Sequence, residues 1–145
     1  MINSPLNYTG NKFRVLKQII PLLNSDKDIF CDIFCGSGLV ALNSNYKKIV
    51  MNDNFKEIIE IIEMFINKDS EHIIKEVDKI INKYSFTDTF RKGGEIYPEL
   101  QHEGLSKFNK VPFLKLKNEY SNKKSPLLLF VLTIFQTNVW NKHRK

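Results

Sequence analysis

The chain has 145 residues and a mass of 17.0 kDa, with 42% hydrophobic and 26% charged residues, which fits one globular domain or less and excludes a low-complexity or wholly disordered chain. Its 22 Lys and Arg outnumber 16 Asp and Glu, giving a formal charge of +6 and a bias toward polyanionic partners such as nucleic acid. The longest apolar run, residues 127–135 with Thr133 inside it, falls far short of the roughly 20 residues of a membrane helix, so no membrane association is expected.

The charge is uneven along the chain. Residues 1–50 carry 6 basic and 3 acidic side chains (+3), residues 51–100 carry 7 and 11 (−4), and residues 101–145 carry 9 and 2 (+7). The N-terminus, Met1-Ile-Asn-Ser-Pro5, has no basic region ahead of an apolar core; it does not read as a signal peptide, and a cytoplasmic location is expected.

In chain order, a polar stretch Asn7-Tyr-Thr-Gly-Asn-Lys12 precedes Val15, Leu16, Ile19, Ile20 and Leu23 at helical spacing, which predicts an amphipathic helix over 11–23. Residues 28–34 are apolar and rich in β-formers and run into Cys35-Gly-Ser-Gly38, which predicts a buried strand ending in a glycine turn. Residues 39–42 start a helix, residues 48–52 form a second strand stopped by Asp53-Asn54, and residues 55–66 and 73–84 give two helical patterns. Strand, glycine turn, helix, strand is a βαβ unit, so the chain reads as α/β with a parallel sheet and ligands at the carboxyl ends of its strands.

Between residues 85 and 112 the pattern dissolves into Gly93-Gly94, Pro98 and Gly104, too long for a simple connection and consistent with an inserted functional segment. A short helix follows over 113–120. Ser125 then caps a helix with Pro126 at its first position; its residues 127–132 are apolar on every side, as in a helix buried within a larger fold. Cys31 and Cys35 read as buried thiols, because a disulfide across so short a span would distort the backbone. A lone C-x-x-x-C also lacks the four ligands of structural zinc, so no metal site is expected.

Three stretches carry chemistry. Asp32-Ile-Phe-Cys-Gly36-Ser-Gly38 lets backbone approach a ligand closely and presents unpaired N–H groups at a helix start, although a plain tight turn has the same form. Asp53 at the end of the second strand can accept hydrogen bonds from both ribose hydroxyls of an adenosine cofactor, or cap the next helix, or do both. Tyr8 and Lys12 offer an aromatic face and a cation for a carboxylate or phosphate, or a turn ahead of a solvated helix start. An unrelated nucleotide-binding protein taking NAD is compatible with these features taken singly.

Together, Tyr8-Thr-Gly-Asn-Lys12, Phe30-Cys-Asp-Ile-Phe-Cys-Gly-Ser-Gly38 and Met51-Asn-Asp-Asn54 resemble, in order and spacing, the first blocks of the Dam-like adenine-N6 DNA methyltransferases, the D12 class. Residues 104–117 resemble part of that family's target-recognition segment, and residues 126–135 the helix after it. The resemblance implies a partial Rossmann-like methyltransferase fold with an inserted, mostly helical recognition segment. Residues 1–68 would be the S-adenosylmethionine-binding part, 69–125 the DNA-binding segment and 126–145 the start of a return to the catalytic domain. It implies S-adenosyl-L-methionine held by Tyr8, Lys12, Asp32, Phe34, Gly36, Gly38 and Asp53. It also implies double-stranded DNA as partner, with a GATC-type target. Lys107, Lys110, Lys115 and Lys117, interleaved with aromatics, are the residues expected to follow the phosphate backbone.

The family acts through an Asp-Pro-Pro-Tyr tetrapeptide that holds a flipped-out adenine. This chain has prolines only at 5, 21, 98, 112 and 126, so the tetrapeptide is absent and no catalytic residue is assigned. The expectation is therefore an N-terminal part of a site-specific adenine methyltransferase, inactive alone. The alternative is a non-catalytic DNA- or cofactor-binding half that works with a second chain completing the fold.

Overall fold

Ile29–Asp32 forms strand β1 and Lys48–Met51 strand β2, two short runs of β-branched and aromatic residues that pair in parallel, with Ile29 opposite Lys48 and Asp32 opposite Met51. In this computed structural model, which describes residues 1–6, 12–23, 26–87 and 105–136, the chain divides into two units, Met1–Asn67 and Lys68–Lys145.

In the first unit the ladder continues past both strand ends, Lys48 N donating to Asp28 O at 3.0 Å and Asn52 N to Asp32 O at 2.9 Å. Helix α2, Leu39–Asn43, connects the strands and completes the expected βαβ unit. It stops after five residues because Ser44 is extended. Asn43 turns its amide onto Leu39 O and Ile2 O, both at 2.8 Å, while its Oδ1 accepts from Ile2 N. The predicted helix over 11–23 is instead broken into a 3₁₀ turn Lys12–Val15, a single α-turn α1 at Leu16–Ile19 and a second 3₁₀ turn Ile20–Leu22. Pro21 accounts for the second 3₁₀ turn: it has no N–H for the carbonyl four residues back, and the chain closes with an i−3 bond from Leu23 N to Ile20 O. Leu16, Leu39 and Val40 form the core here, with Ile19, Ile20, Leu23 and Phe30 packed on it.

The strands are not buried as expected. β1 alternates exposed and half-buried residues, and β2 is exposed from Lys48 through Val50. Phe30 packs toward the core and stacks on Tyr46, whereas Ile29 and Cys31 lie on the other face and are exposed. A sheet with one covered face leaves every second residue of β1 in water, and β2, exposed at three successive residues, is covered less still. Of the two cysteines read as buried, only Cys35 is. Helix α3, Lys56–Asn67, ends this unit and buries Ile58, Ile61 and Met64.

The second unit is helical. Asp69 Oδ2 accepts from His72 N at 3.0 Å and starts α4, Ser70–Tyr84. Ser85 ends it in the left-handed region at φ 58°, where Phe86 N reaches back to Ile81 O at 3.0 Å and the Phe86 ring turns into the core. Helix α5 runs over Leu105–Lys123, not the short 113–120 segment expected, and continues through Pro112. Pro112 cannot donate to the Phe108 carbonyl, a loss that normally breaks a helix. Here the flanking residues anchor it: Phe113 and Leu116 are buried, and so is Asn109, whose Oδ1 accepts from Thr87 N at 2.8 Å and whose Nδ2 donates to Thr87 O.

Helix α6, Pro126–Gln136, buries Leu128, Phe130, Val131 and Leu132. Its cover comes from α4 and α5, through Ile80, Phe86, Phe113 and Leu116 with Tyr84, Tyr120 and Phe135 around them. The all-round apolar stretch is thus largely buried within its own unit. Glu119 of α5 ties the helices further, accepting from Lys83 Nζ at 2.7 Å, Lys123 Nζ at 2.8 Å and the Tyr84 hydroxyl. The Lys123 and Lys83 hydrogen bonds hold its carboxyl below the usual range. Residues 88–104, with Gly93-Gly94 and Pro98, lie outside the described residues. Among the described residues no helix is long and apolar enough to cross a membrane.

Candidate cofactor site

The carboxyl ends of β1 and β2 lie side by side because the strands are parallel, and this brings Asp32 and the glycine turn against Asp53. Gly36 N donates to Asp53 Oδ2 at 2.8 Å, and Phe55 N donates to Asp53 Oδ1 at 3.0 Å. One carboxylate thus shapes the glycine turn and starts the chain toward α3. The helix opens at Lys56, one residue later than expected, so Asp53 closes a turn on Phe55 N just ahead of it and does not cap its first turn, and each oxygen keeps a second lone pair. The Phe55 and Gly36 amides hold the Asp53 carboxyl below its usual range.

The turn needs its glycines for backbone reasons: Gly36 sits at φ 52° and Gly38 at φ 73°. A methyl group at Gly38 would meet only Ile62 Cδ1 and Met51 Sδ, both at the ordinary contact distance of 3.6 Å, so the dihedral decides. Gly38 precedes α2 and accepts from Leu42 N at 2.8 Å. Lys12 Nζ donates to Phe34 O at 3.3 Å, placing an ammonium beside the turn. The Phe34 ring is 72% exposed next to it. Lys12, Asp32, Phe34, Gly36 and Asp53 therefore meet at one sheet edge, with Gly38 behind them; Tyr8 lies outside the described residues.

Asp32 is the unusual member. Its Oδ2 is sealed from solvent with no hydrogen-bond partner among the described residues. Burial pushes its carboxyl above the ordinary value of 3.8, against the pull of Lys12 and a hydrogen bond from the Phe34 backbone. The neighbouring Cys35 thiol is pushed up to about 11, by burial first and then by Asp32 and Asp53, so it is inert as a nucleophile at neutral pH. Because the folded state binds the Asp32 proton more tightly than the unfolded chain, Asp32 destabilises the fold once pH rises past 3.8. Asp32→Asn is accordingly expected to raise neutral-pH stability by ~1 kcal/mol, at the low end for an unsatisfied buried acceptor because Lys12 lies nearby. Urea denaturation checks this: the gain should vanish below the ordinary carboxylate range, and a loss at pH 7 would mean that Oδ2 has a donor.

Sequence reasoning missed three positioning side chains. Asn52 donates from its side-chain Nδ2 to Ile33 O at 3.3 Å, and its backbone carbonyl accepts from Cys35 N at 3.0 Å, stitching the turn to the end of β2. Ser4 Oγ donates to Ser37 O at 2.9 Å, and Asn43 holds Ile2, so the chain ahead of Tyr8 is tied to the glycine turn. Only Asn52 had a signal, its place in Met51-Asn-Asp-Asn54. The expected DNA-binding Lys107, Lys110, Lys115 and Lys117 all lie exposed on α5. Among the described residues no three His, Cys, Asp or Glu side chains group as a metal site would require.

Comparison with known proteins agrees with this geometry. The profile of the D12 class N6 adenine-specific DNA methyltransferases matches residues 8–143. The type II methyltransferase M.FokI of Planomicrobium okeanokoites and the modification methylase StsI of Streptococcus sanguinis are each 31% identical over 137 residues, 94% of this chain. The modification methylase LlaI of Lactococcus lactis subsp. lactis is 28% identical over 134 residues. The chain spans 18% of the length of each of these relatives. With a glycine turn, a paired strand-end carboxylate and a family profile over nearly its whole length, the chain belongs to the D12 class of N6 adenine-specific DNA methyltransferases.

Proposed function

We propose that the chain is the S-adenosylmethionine-binding and DNA-facing part of a modification methylase acting on adenine N6. The observation that carries this reading is the Gly36–Asp53 hydrogen bond at the carboxyl ends of two parallel strands, in a chain of this family. The residues fit the cofactor. Asp53 has lone pairs left for ribose hydroxyls, the glycine turn admits close backbone approach, and Phe34 offers an aromatic face. Lys12 lies where a carboxylate group would meet a cation. Bound there, S-adenosylmethionine would supply an electrophilic methyl group, and the chain's own residues would orient it.

The Rossmann-like fold belongs to the same proposal, the βαβ unit being its first repeat. Without an Asp-Pro-Pro-Tyr sequence, the 145 residues supply no group to hold the adenine amino nitrogen, so this chain is expected to be inactive alone. Each strand of the two-stranded sheet is paired on one side only among the described residues, which favours further strands at its edges from outside these residues, in the same polypeptide or a second one. A GATC-type target is proposed from residues 104–117.

The test combines the chain with a separately expressed methyltransferase segment that bears an Asp-Pro-Pro-Tyr sequence, duplex DNA and S-adenosylmethionine. The DNA is then digested to nucleosides for mass spectrometry. N6-methyladenine is expected. Methylcytosine in its place overturns the adenine reading, and no complex and no methylation removes the two-part reading.

A further inference from the structure

Residues 2–6 run along α2 and end against the glycine turn. At the C-terminal end of α2, Asn43 grips Ile2 through the backbone, its Oδ1 accepting from Ile2 N at 2.6 Å and its Nδ2 donating to Ile2 O at 2.8 Å. The Ile2 side chain is exposed, so the backbone alone carries this grip. At the other end of α2, Ser4 Oγ donates to Ser37 O at 2.9 Å and accepts from Leu6 N at 3.2 Å. Leu6 is buried, and the ring of Pro5 ahead of it locks φ. The two grips match in length: two residues of extended chain reach about 7 Å, and the five residues of α2 rise about 7.5 Å.

Ser37 is buried between Gly36 and Gly38, both at positive φ. Its carbonyl and the Gly38 N–H belong to one planar peptide and point in opposite directions. Glycine tolerates either sign of φ, so the turn's own backbone chooses weakly between this orientation of the peptide and the flipped one. Two bonds make the choice. Gly38 N donates to Cys35 O at 2.9 Å on one side, and the Ser4 hydroxyl holds Ser37 O on the other. Asp53 fixes the neighbouring peptide from the end of β2, through Gly36 N.

Resting on the S-adenosylmethionine reading above, we propose that residues 2–6 are a brace that presets the glycine turn for the cofactor, with Ser4 as its positioning residue and Asn43 as its anchor. Ser4 acts through the Ser37–Gly38 peptide and not on the ligand. A site that holds its binding geometry only part of the time loses apparent affinity by that fraction. One hydroxyl-to-carbonyl bond shifts the ratio of the two peptide orientations by about three- to tenfold. A tie that served stability alone would lower the unfolding midpoint and leave the affinity where it was.

The experiment titrates S-adenosylmethionine into the isotope-labelled 145-residue chain to millimolar concentration and follows the Gly36 and Gly38 amide NMR signals, with urea midpoints measured in parallel. Ser4→Ala should weaken binding about three- to tenfold, and Ser4→Thr, which keeps the hydroxyl, should bring it back to within about twofold of wild type. Asn43→Ala reads the same brace from its other end with Ser4 intact. It should weaken binding over the same range, and combining it with Ser4→Ala should add little, because one released end frees the brace. Ser44→Ala is the matched control: Ser44 Oγ donates to Ala41 O at 2.8 Å, a bond of the same kind at the end of α2 remote from the turn, and its loss should leave the affinity unchanged. Gly36 and Gly38 signals that do not move in the wild type overturn the cofactor reading and this one with it. Wild-type binding with Ser4→Ala and Asn43→Ala unchanged, with an equal loss in Ser44→Ala, or without rescue by Ser4→Thr, overturns the brace alone. Fully additive losses in the double variant overturn it as a single unit.

Discussion

Asp53→Ala is expected to abolish the response of the glycine turn to S-adenosylmethionine. In the wild-type chain, millimolar S-adenosylmethionine should shift the amide NMR signals of Gly36, which is bonded to the Asp53 carboxylate, and of Gly38, which closes the same turn on Cys35 O. The variant loses the acceptor for Gly36 N and Phe55 N together. Hydrogen bonds to a charged acceptor are worth about 1.5–3 kcal/mol each, and ~2.7 kcal/mol is already a hundredfold in affinity. Asp53→Asn should fall between the two, since an amide accepts from one backbone N–H and turns its own donors on the other. The wild-type response should be flat through neutral pH. Asp53 is held below its ordinary value of 3.8, so its contribution is complete above that value and is lost only as pH falls through the lower folded one. A variant that shifts Gly36 and Gly38 as the wild type does would remove Asp53 from the site.

What the sequence disclosed, and what it hid, follows from the range of the interactions involved. The βαβ unit was legible because its signals are local: β-formers in β1 and β2, and glycines where φ must be positive. Asp53 was legible because a carboxylate at a strand end is placed by the strand itself. The strands' exposure was not, since an apolar run looks the same whether one face or both are covered. The helix over 11–23 failed at Pro21, where apolar spacing continued but the backbone donor did not. On α5 the error ran the other way. Pro112 and the polar Asn109 masked a buried face that a contact with Thr87, over twenty residues distant, makes possible. Asp32's sealed oxygen depends on the folded turn around it, and no local pattern could have announced it.

Leu116→Ala tests the orientation of α5, on which the DNA-facing assignment depends. Leu116 is fully buried against Phe113, Leu128 and Val131, whereas Leu114, two positions earlier and chemically identical, is exposed. Truncating a buried leucine removes its transfer free energy and leaves a cavity, at a cost of about 2–5 kcal/mol. The same change at Leu114 exposes less apolar surface to water and is expected to stay within about 0.5 kcal/mol. With a urea m-value of about 1–3 kcal/mol/M, Leu116→Ala should lower the unfolding midpoint by about 1–2 M, and Leu114→Ala should barely move it. Equal destabilisation by the two substitutions would mean that the helix is rotated about its axis, turning Lys110, Lys115 and Lys117 away from a common face. A large effect at Leu116 with none at Leu114 fixes which side of α5 is core and which is free to meet DNA.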